Sequence, residues 1–429
     1  MDSKTSRPGE APAPAAVSGR LNPLDPLLSE LTAQELELVS AASSLVPVLD
    51  ANAETADATR RLPEEDLKVM REAGLFRLAT PRAYGGYEAS ACAVTAAAAE
   101  LGRGCSAASW VQVVYYSGSQ AVSMFPGTVQ DRVWGQDPDV TVCGATAGGV
   151  TARAVDGGYL LSGRSGWASG VHHASWAVVG VTDEPGDAAQ SPESAKGSPL
   201  GRGLALVPVS ELAVEDTWHM AGMRGTGSDT IVADNVFVPR EQVLFPAAPG
   251  GAARRGQATQ AEARVTRPRP QGLGTGLLAA TMLGMGMAVY DHIVGKLTEG
   301  RPLVSAASLH ARAVDAPGVQ ANVADAAMLI DSAVLQIARS ARAVDASFRT
   351  GEPMSALATA RIRMDAGLAA RRVREAVDKL LDAGGASRFA ETSPVQRIWR
   401  DLGTATRHPA AVIEIDRERY ARMLLGLSR

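Results

Sequence analysis

The spacing of apolar residues changes twice along this 429-residue chain, and that change limits its possible folds more than any single motif does. From about 34 to 135, apolar side chains recur every three or four residues: Leu36, Leu38, Val39 and Ala42, then Leu67, Val69, Met70 and Leu75, then an Ala-rich run from Ala89 to Leu101. That spacing lays an apolar stripe along a helix, and Gly74, Pro81 and the Gly85-Gly86 pair supply the stops. Between about 140 and 240 the period falls to two, in short runs such as Val150 to Val155, Tyr159 to Leu161, Trp176 to Val179, Leu204 to Val207 and Thr230 to Ala233. With turn residues such as Asp156-Gly157-Gly158 between them, these runs predict an antiparallel sheet. After Gly272 the helical period returns near 273–298, 308–348, 355–383 and 394–424, enough for an antiparallel bundle.

The expected class is therefore α+β, with an N-terminal helical domain over 25–139, a middle antiparallel β domain over 140–246 and a C-terminal four-helix bundle over 271–429. Residues 1–24 are rich in Pro, Ala, Ser and Gly and read as a flexible tail. Two further low-complexity stretches read as a loop insertion at 183–203 and a linker at 247–270.

Several function classes lose their support here. The formal charge is −4 and no long basic run occurs, which argues against a nucleic-acid surface. The three cysteines, Cys92, Cys105 and Cys143, form no CxxC pair, so neither a disulfide framework nor a Cys zinc site is expected, and no metal site is expected. No apolar stretch reads as a membrane span, and the start of the chain lacks the features of a secretory signal, so a cytoplasmic protein is expected. Phosphate-loop, nucleophile-elbow and H-E-x-x-H motifs are missing.

Three segments carry chemistry-bearing residues. The run Leu161-Ser-Gly-Arg-Ser-Gly-Trp167-Ala-Ser169-Gly170 follows a strand and offers an indole face, a hydroxyl and close backbone approach to a flat heteroaromatic ligand; a Gly-rich hairpin with a core Trp would look the same. In Trp218-His-Met-Ala-Gly-Met-Arg224-Gly225-Thr226-Gly227-Ser228-Asp229, backbone amides and Arg224 can line an acceptor-rich ring edge or a phosphate, and the string is also an ordinary Gly turn. In Gln396-Arg-Ile-Trp-Arg-Asp401-Leu-Gly-Thr404-Ala-Thr-Arg-His408-Pro409, helical spacing puts Thr404 and His408 on one face, and imidazole is the natural proton acceptor near neutrality. His172 and His173 are adjacent, so in a strand they face opposite sides and cannot share a metal.

These strings, together with Leu62-Pro63 to Phe76 and Pro81-Arg-Ala-Tyr-Gly-Gly-Tyr87, resemble the acyl-CoA dehydrogenase fold and, more closely, its oxygen-activating branch, the group D two-component flavin monooxygenases. The resemblance runs from about Leu27 to Leu425. It implies an oxygenase component that takes reduced FAD or FMN from a separate NAD(P)H:flavin reductase and uses O2 to hydroxylate an aromatic, phenolic or polyketide-like, or an amine substrate in specialised metabolism. It also implies a homotetramer. No Rossmann fingerprint for NAD(P)H is present, as a separate reductase requires.

By the same resemblance, Trp110 and Trp167 form the aromatic walls of the flavin site. Ser169 sits by flavin N5, Thr226 and Ser228 contact the ring edge with Arg224 and Gly225 beside them, and Arg301 is a loose match to a phosphate-binding Arg. His408 deprotonates or orients the substrate, which makes His408 and Ser169 the candidate catalytic pair. Two departures stand out. The dehydrogenase branch commonly places a Glu in a Tyr-Glu-Gly-Thr string, and here the matching place reads Arg407-His408-Pro409-Ala410, leaving Glu299 or Glu414 as substitutes outside any motif. Many phenol hydroxylases carry a second His where this chain has Gly118. An acyl-CoA dehydrogenase-type FAD enzyme and a non-catalytic binding protein on the same fold are the competing readings.

Overall fold

A computed structural model of the chain describes residues 21–184, 201–245, 273–300, 302 and 308–427. The N-terminal region is a layer of helices: α1 (Asp25–Leu28), α2 (Ala33–Ser44), α3 (Val46–Thr59), α4 (Glu64–Glu72), α5 (Ala91–Gly104), α6 (Ser106–Val122) and α7 (Gly127–Trp134). Helix α2 begins in a capping box, Thr32 accepting from the Glu35 amide while the Glu35 carboxylate accepts from the Thr32 amide. Helix α5 is buried along its whole length, which its Ala-rich sequence permits, and its buried Arg103 pairs with Asp291 of the C-terminal region. Its first amides, those of Ala91 and Cys92, donate to the carboxylate of Asp345 at 2.6 and 3.0 Å, so a charge from the C-terminal region caps it.

The middle region is one seven-stranded sheet in the order β5-β6-β2-β1-β3-β4-β7. Its strands are β1 (Val142–Val155), β2 (Gly158–Ala168), β3 (Trp176–Glu184), β4 (Arg202–Pro208), β5 (Ala213–Glu215), β6 (Asp229–Pro239) and β7 (Val243–Leu244). The sheet is mixed rather than antiparallel, because β1 and β3 run parallel, from Val142 opposite Trp176 to Arg153 opposite Glu184. The connection through β2 and the turn at 169–175 returns the chain beside β1 in the same direction, a long-range choice that alternation alone does not encode. Residues 183, 184, 202 and 203, expected in an insertion, are paired strand residues. The remainder of that stretch, the 247–270 linker and most of the expected tail lie outside the described residues. Leu24, expected in the tail, is buried, and the Leu21 amide donates to Asp291 at 3.1 Å.

The C-terminal region holds α8 (Leu273–Thr298), α9 (Pro317–Thr350), α10 (Ala356–Gly384), α11 (Pro394–Ala405) and α12 (Ile413–Leu424). Two expectations change. Helix α9 starts at Pro317 instead of near 308, and the fourth segment is two helices with a break over 406–412 instead of one. Pro409 causes that break: it brings no amide hydrogen and holds the preceding His408 in extended backbone, ψ 140°. Two helices, Gly276–Thr298 and Pro317–Thr350, are also long and apolar enough to cross a membrane, contrary to the sequence reading. The first of them is 83% buried against its neighbours, as the core helix of a bundle is.

Candidate active site

Three polypeptide stretches converge where β2 ends, β6 begins and α11 stops. In the β2–β6 pairing, Ala168 lies opposite Asp229 after an irregularity, which brings Ser169 against Ser228. Their hydroxyls are 2.7 Å apart, and the Ser228 hydroxyl lies 2.6 Å from that of Thr226. On the other side, the Trp110 indole of α6 donates to Ser169 Oγ at 3.2 Å. The His408 ring stands edge-on to Trp110 with centroids 5.4 Å apart. Trp110, Ser169, Ser228, Thr226 and His408 thus form one contiguous cluster drawn from all three regions.

Trp167 borders this cluster with 59% of its surface exposed and a left-handed backbone, φ 64°. A large apolar ring held outward in a conformation that L-residues seldom adopt makes Trp167 a candidate ligand contact. Trp110 differs: it is buried, between Ser169, to which its indole donates, and the His408 ring.

The turn before β6 is fastened by helices as well as by the end of β2, where the Gly170 amide donates to the Thr226 carbonyl at 2.8 Å. Met223 has φ 56°, is buried, and its amide donates to Asp401 of α11 at 2.5 Å. Its carbonyl accepts from the Trp218 indole at 2.8 Å and from the Thr226 hydroxyl at 2.8 Å. Burial raises the Asp401 carboxyl to about 6, against the lowering effect of the Met223 amide. Gly222 is pressed on α11, so that a side chain there would run into the Arg400 carbonyl. Arg400 also pairs with Asp57 of α3 at 3.0 Å.

Arg224, expected to face a ligand, instead donates to the Asp57 carbonyl at 2.9 Å and to the Met220 carbonyl at 3.3 Å. Gly225 is wedged between Ala56 and Ala107. Both therefore hold the turn in place. Arg301 lies outside the described residues.

His408 does not share a helix face with Thr404, because α11 has already ended. It caps the next turn, its Nδ1 accepting from the Ala410 amide at 3.2 Å, which puts the proton of the neutral ring on Nε2. Burial lowers its pKa, so the neutral form prevails at neutral pH. Sequence reasoning missed two further features. His172 Nε2 meets Asp229 Oδ2 at 2.6 Å, tying the loop after β2 to the start of β6, and the Tyr115 hydroxyl donates to the Gly170 carbonyl at 2.6 Å. Burial raises the Asp229 carboxyl, but the His172 ring and the Trp218 and Thr217 amides outweigh it and hold it below the ordinary value. Adjacent histidines gave no signal of either contact. Gly118 lies where α6 crosses β1, and any side chain there would meet the Val142 carbonyl, so this backbone leaves no room for a second histidine.

Comparison with known proteins identifies the family. Residues 33–130 match the family model described as the acyl-CoA dehydrogenase N-terminal domain, and residues 277–412 match that of the acyl-CoA dehydrogenase C-terminal domain. The chain is 31% identical over 371 residues to the flavin-dependent monooxygenase oxygenase subunit HsaA of Rhodococcus jostii (strain RHA1), covering 86% of this chain and 92% of that one. It is 33% identical over 393 residues to the FADH(2)-dependent resorcinol hydroxylase oxygenase component of Rhizobium sp. (strain MTP-10005), covering 88% and 91%. The chain belongs to the oxygenase branch of the acyl-CoA dehydrogenase family.

Within that family, the solved structure of XiaF from Streptomyces sp. in complex with FADH2 and glycerol superposes with a TM-score of 0.82 at 30% identity, covering 94% of this chain and 98% of that one. The family's α, β, α order is the order observed here, with the candidate cluster at the junction of its three regions. The residues present suit a flavin: an exposed indole held outward beside a run of hydroxyls, in a backbone strained to keep it there.

Proposed function

We propose that the protein is the oxygenase component of a two-component flavin-dependent monooxygenase acting on an aromatic substrate that bears a hydroxyl group, of phenolic or polyketide-like type. A separate NAD(P)H:flavin reductase supplies reduced FAD or FMN. When bound, the reduced flavin supplies two electrons to O2, so that one oxygen atom is transferred to the substrate and the other leaves as water. The observation that carries the reading is the single cluster joining Trp110, Ser169, Ser228, Thr226 and His408 at the edge of exposed Trp167.

The protein's residues divide the work by their chemistry. Trp167 offers a stacking face, and Ser169 a hydrogen-bonding atom for flavin N5. His408, neutral and with Nδ1 spent on the Ala410 amide, offers Nε2–H, so it orients a substrate oxygen rather than taking a proton from it. Trp110 is buried and His408 half-buried, which limits the access of water to the reacting edge. The dehydrogenase reading lacks a base: Glu299 is exposed and paired with Lys296, and Glu414 is exposed in the first turn of α12.

The protein assembles as a homotetramer in a cytoplasmic setting, where NAD(P)H is at hand. Met328 and Leu335, seven residues apart on α9, are 63% and 53% exposed, and Phe389 and Trp399 form an exposed edge-to-face pair, apolar surface of the kind that subunits cover. The deciding experiment supplies reduced flavin and 18O2 with a panel of phenols, polyketide-like aromatics and amines. One 18O atom in a hydroxylated aromatic product supports the proposal. Labelled product from amines alone overturns the substrate class, and copurified oxidised FAD bleached by an acyl-CoA with no labelled product overturns the oxygenase reading.

A further inference from the structure

The hydroxyl cluster has a direction, and the direction follows from counting protons. Three O···O contacts run in series: Ser169 to Ser228 at 2.7 Å, Ser228 to Thr226 at 2.6 Å, and Thr226 to the Met223 carbonyl at 2.8 Å. Two oxygens at such distances repel unless a proton lies between them, so the series needs three protons. Three hydroxyls supply three, and the carbonyl supplies none. Only one arrangement fills every contact: Thr226 donates to Met223, Ser228 donates to Thr226, and Ser169 donates to Ser228.

The far end is fixed as well. Trp110 Nε1–H can only donate, and it occupies one lone pair of Ser169 Oγ. A donor-only indole and an acceptor-only carbonyl therefore clamp the chain at opposite ends, and the buried setting of Ser169, Thr226 and Ser228 shields it from water that could reverse it. Ser169 is left with one lone pair and no free proton.

We infer that Ser169 presents a hydrogen-bond acceptor to the flavin, and that the Ser228–Thr226–Met223 relay thereby makes the site selective for reduced over oxidised flavin. Reduced flavin carries a hydrogen on N5 and donates it; oxidised flavin has only a lone pair there, which would face the lone pair of Ser169. The relay residues are positioning residues that set the polarity of the one hydroxyl touching the cofactor. The inference rests on the placement of Ser169 by N5 in the proposed function.

The test is anaerobic equilibrium binding of reduced and of oxidised FAD and FMN to the full-length protein, without turnover. Wild type should favour the reduced form. Ser228→Ala removes the inward acceptor, so the Ser169 proton turns outward and can donate to oxidised N5. The preference for reduced flavin should then fall by several-fold to about tenfold, mainly through tighter binding of the oxidised form. Thr226→Val, which keeps the shape, breaks the relay one link further on and should act in the same direction. A preference unchanged in both variants but altered in Ser169→Ala overturns the polarity while leaving Ser169 at N5. Binding of both forms unchanged in Ser169→Ala overturns the placement itself, and a wild type without preference for reduced flavin overturns the inference directly.

Discussion

In the proposed function, His408 is the residue on which product formation should depend most sharply. Replacing it by Ala should leave flavin oxidation running while product collapses and hydrogen peroxide takes its place, a split seen by measuring both in one reaction; unchanged product would remove His408 from the mechanism. Its pKa is lowered by burial, so its neutral, Nε2–H form persists below the ordinary imidazole value of about 6.5. The yield of product per reduced flavin should therefore hold from pH 8 down to that value and drop only below it, when protonation of Nδ1 costs the ring its cap on Ala410. Asp401 has the opposite sign. Its folded carboxyl sits at about 6, above the ordinary value, so ionisation subtracts stability as pH rises through that range. Asp401→Asn keeps an acceptor for the Met223 amide and should raise Tm relative to wild type above pH 6, with the two curves meeting near pH 4. A difference that is equal at both ends would contradict the assignment.

Elements show where the sequence is readable and where it is not. The strands over Trp176 to Val179 and Leu204 to Val207 follow from alternation, and the helices from their stripes, because those patterns are local consequences of burying one face. The parallel β1–β3 pairing, the left-handed Met223 and the capping role of His408 were not legible, since each is imposed by contacts far away in the chain. Arg224 illustrates the point: its sequence neighbours suggest a ligand contact, yet the Asp57 carbonyl, 167 residues distant, takes its guanidinium. Candidate site residues were found by resemblance, and four of them, Trp110, Ser169, Thr226 and Ser228, are in one hydrogen-bonded series. The turn around Met223 should be correspondingly intolerant. Gly222→Ala drives a methyl group into the Arg400 carbonyl of α11, and flavin affinity should fall about tenfold or more, read by titration with reduced flavin. Gly118→Ala makes the same collision between α6 and β1, away from the cluster, and should cost about 1–3 kcal/mol of stability by denaturant unfolding.

At the scale of the whole molecule, the proposed tetramer is tested apart from the site. Light scattering should give four times 44.5 kDa, and Leu335→Glu, which puts a charge on the exposed face of α9, should reduce that mass while each folded chain keeps its helical signal. A monomeric wild type would contradict the tetramer. The fastening of the turn around Met223 has a consequence for how the chain folds. The turn is held on one side by Asp57 and on the other by Arg400 and Asp401, and Asp57 and Arg400 are 343 positions apart in the chain. A chain that has completed its sheet but lacks α11 has no acceptor for the Met223 amide and no support beneath Gly222. In the proposed reading, a chain cut off before α11 should therefore bind reduced flavin weakly even with its sheet folded.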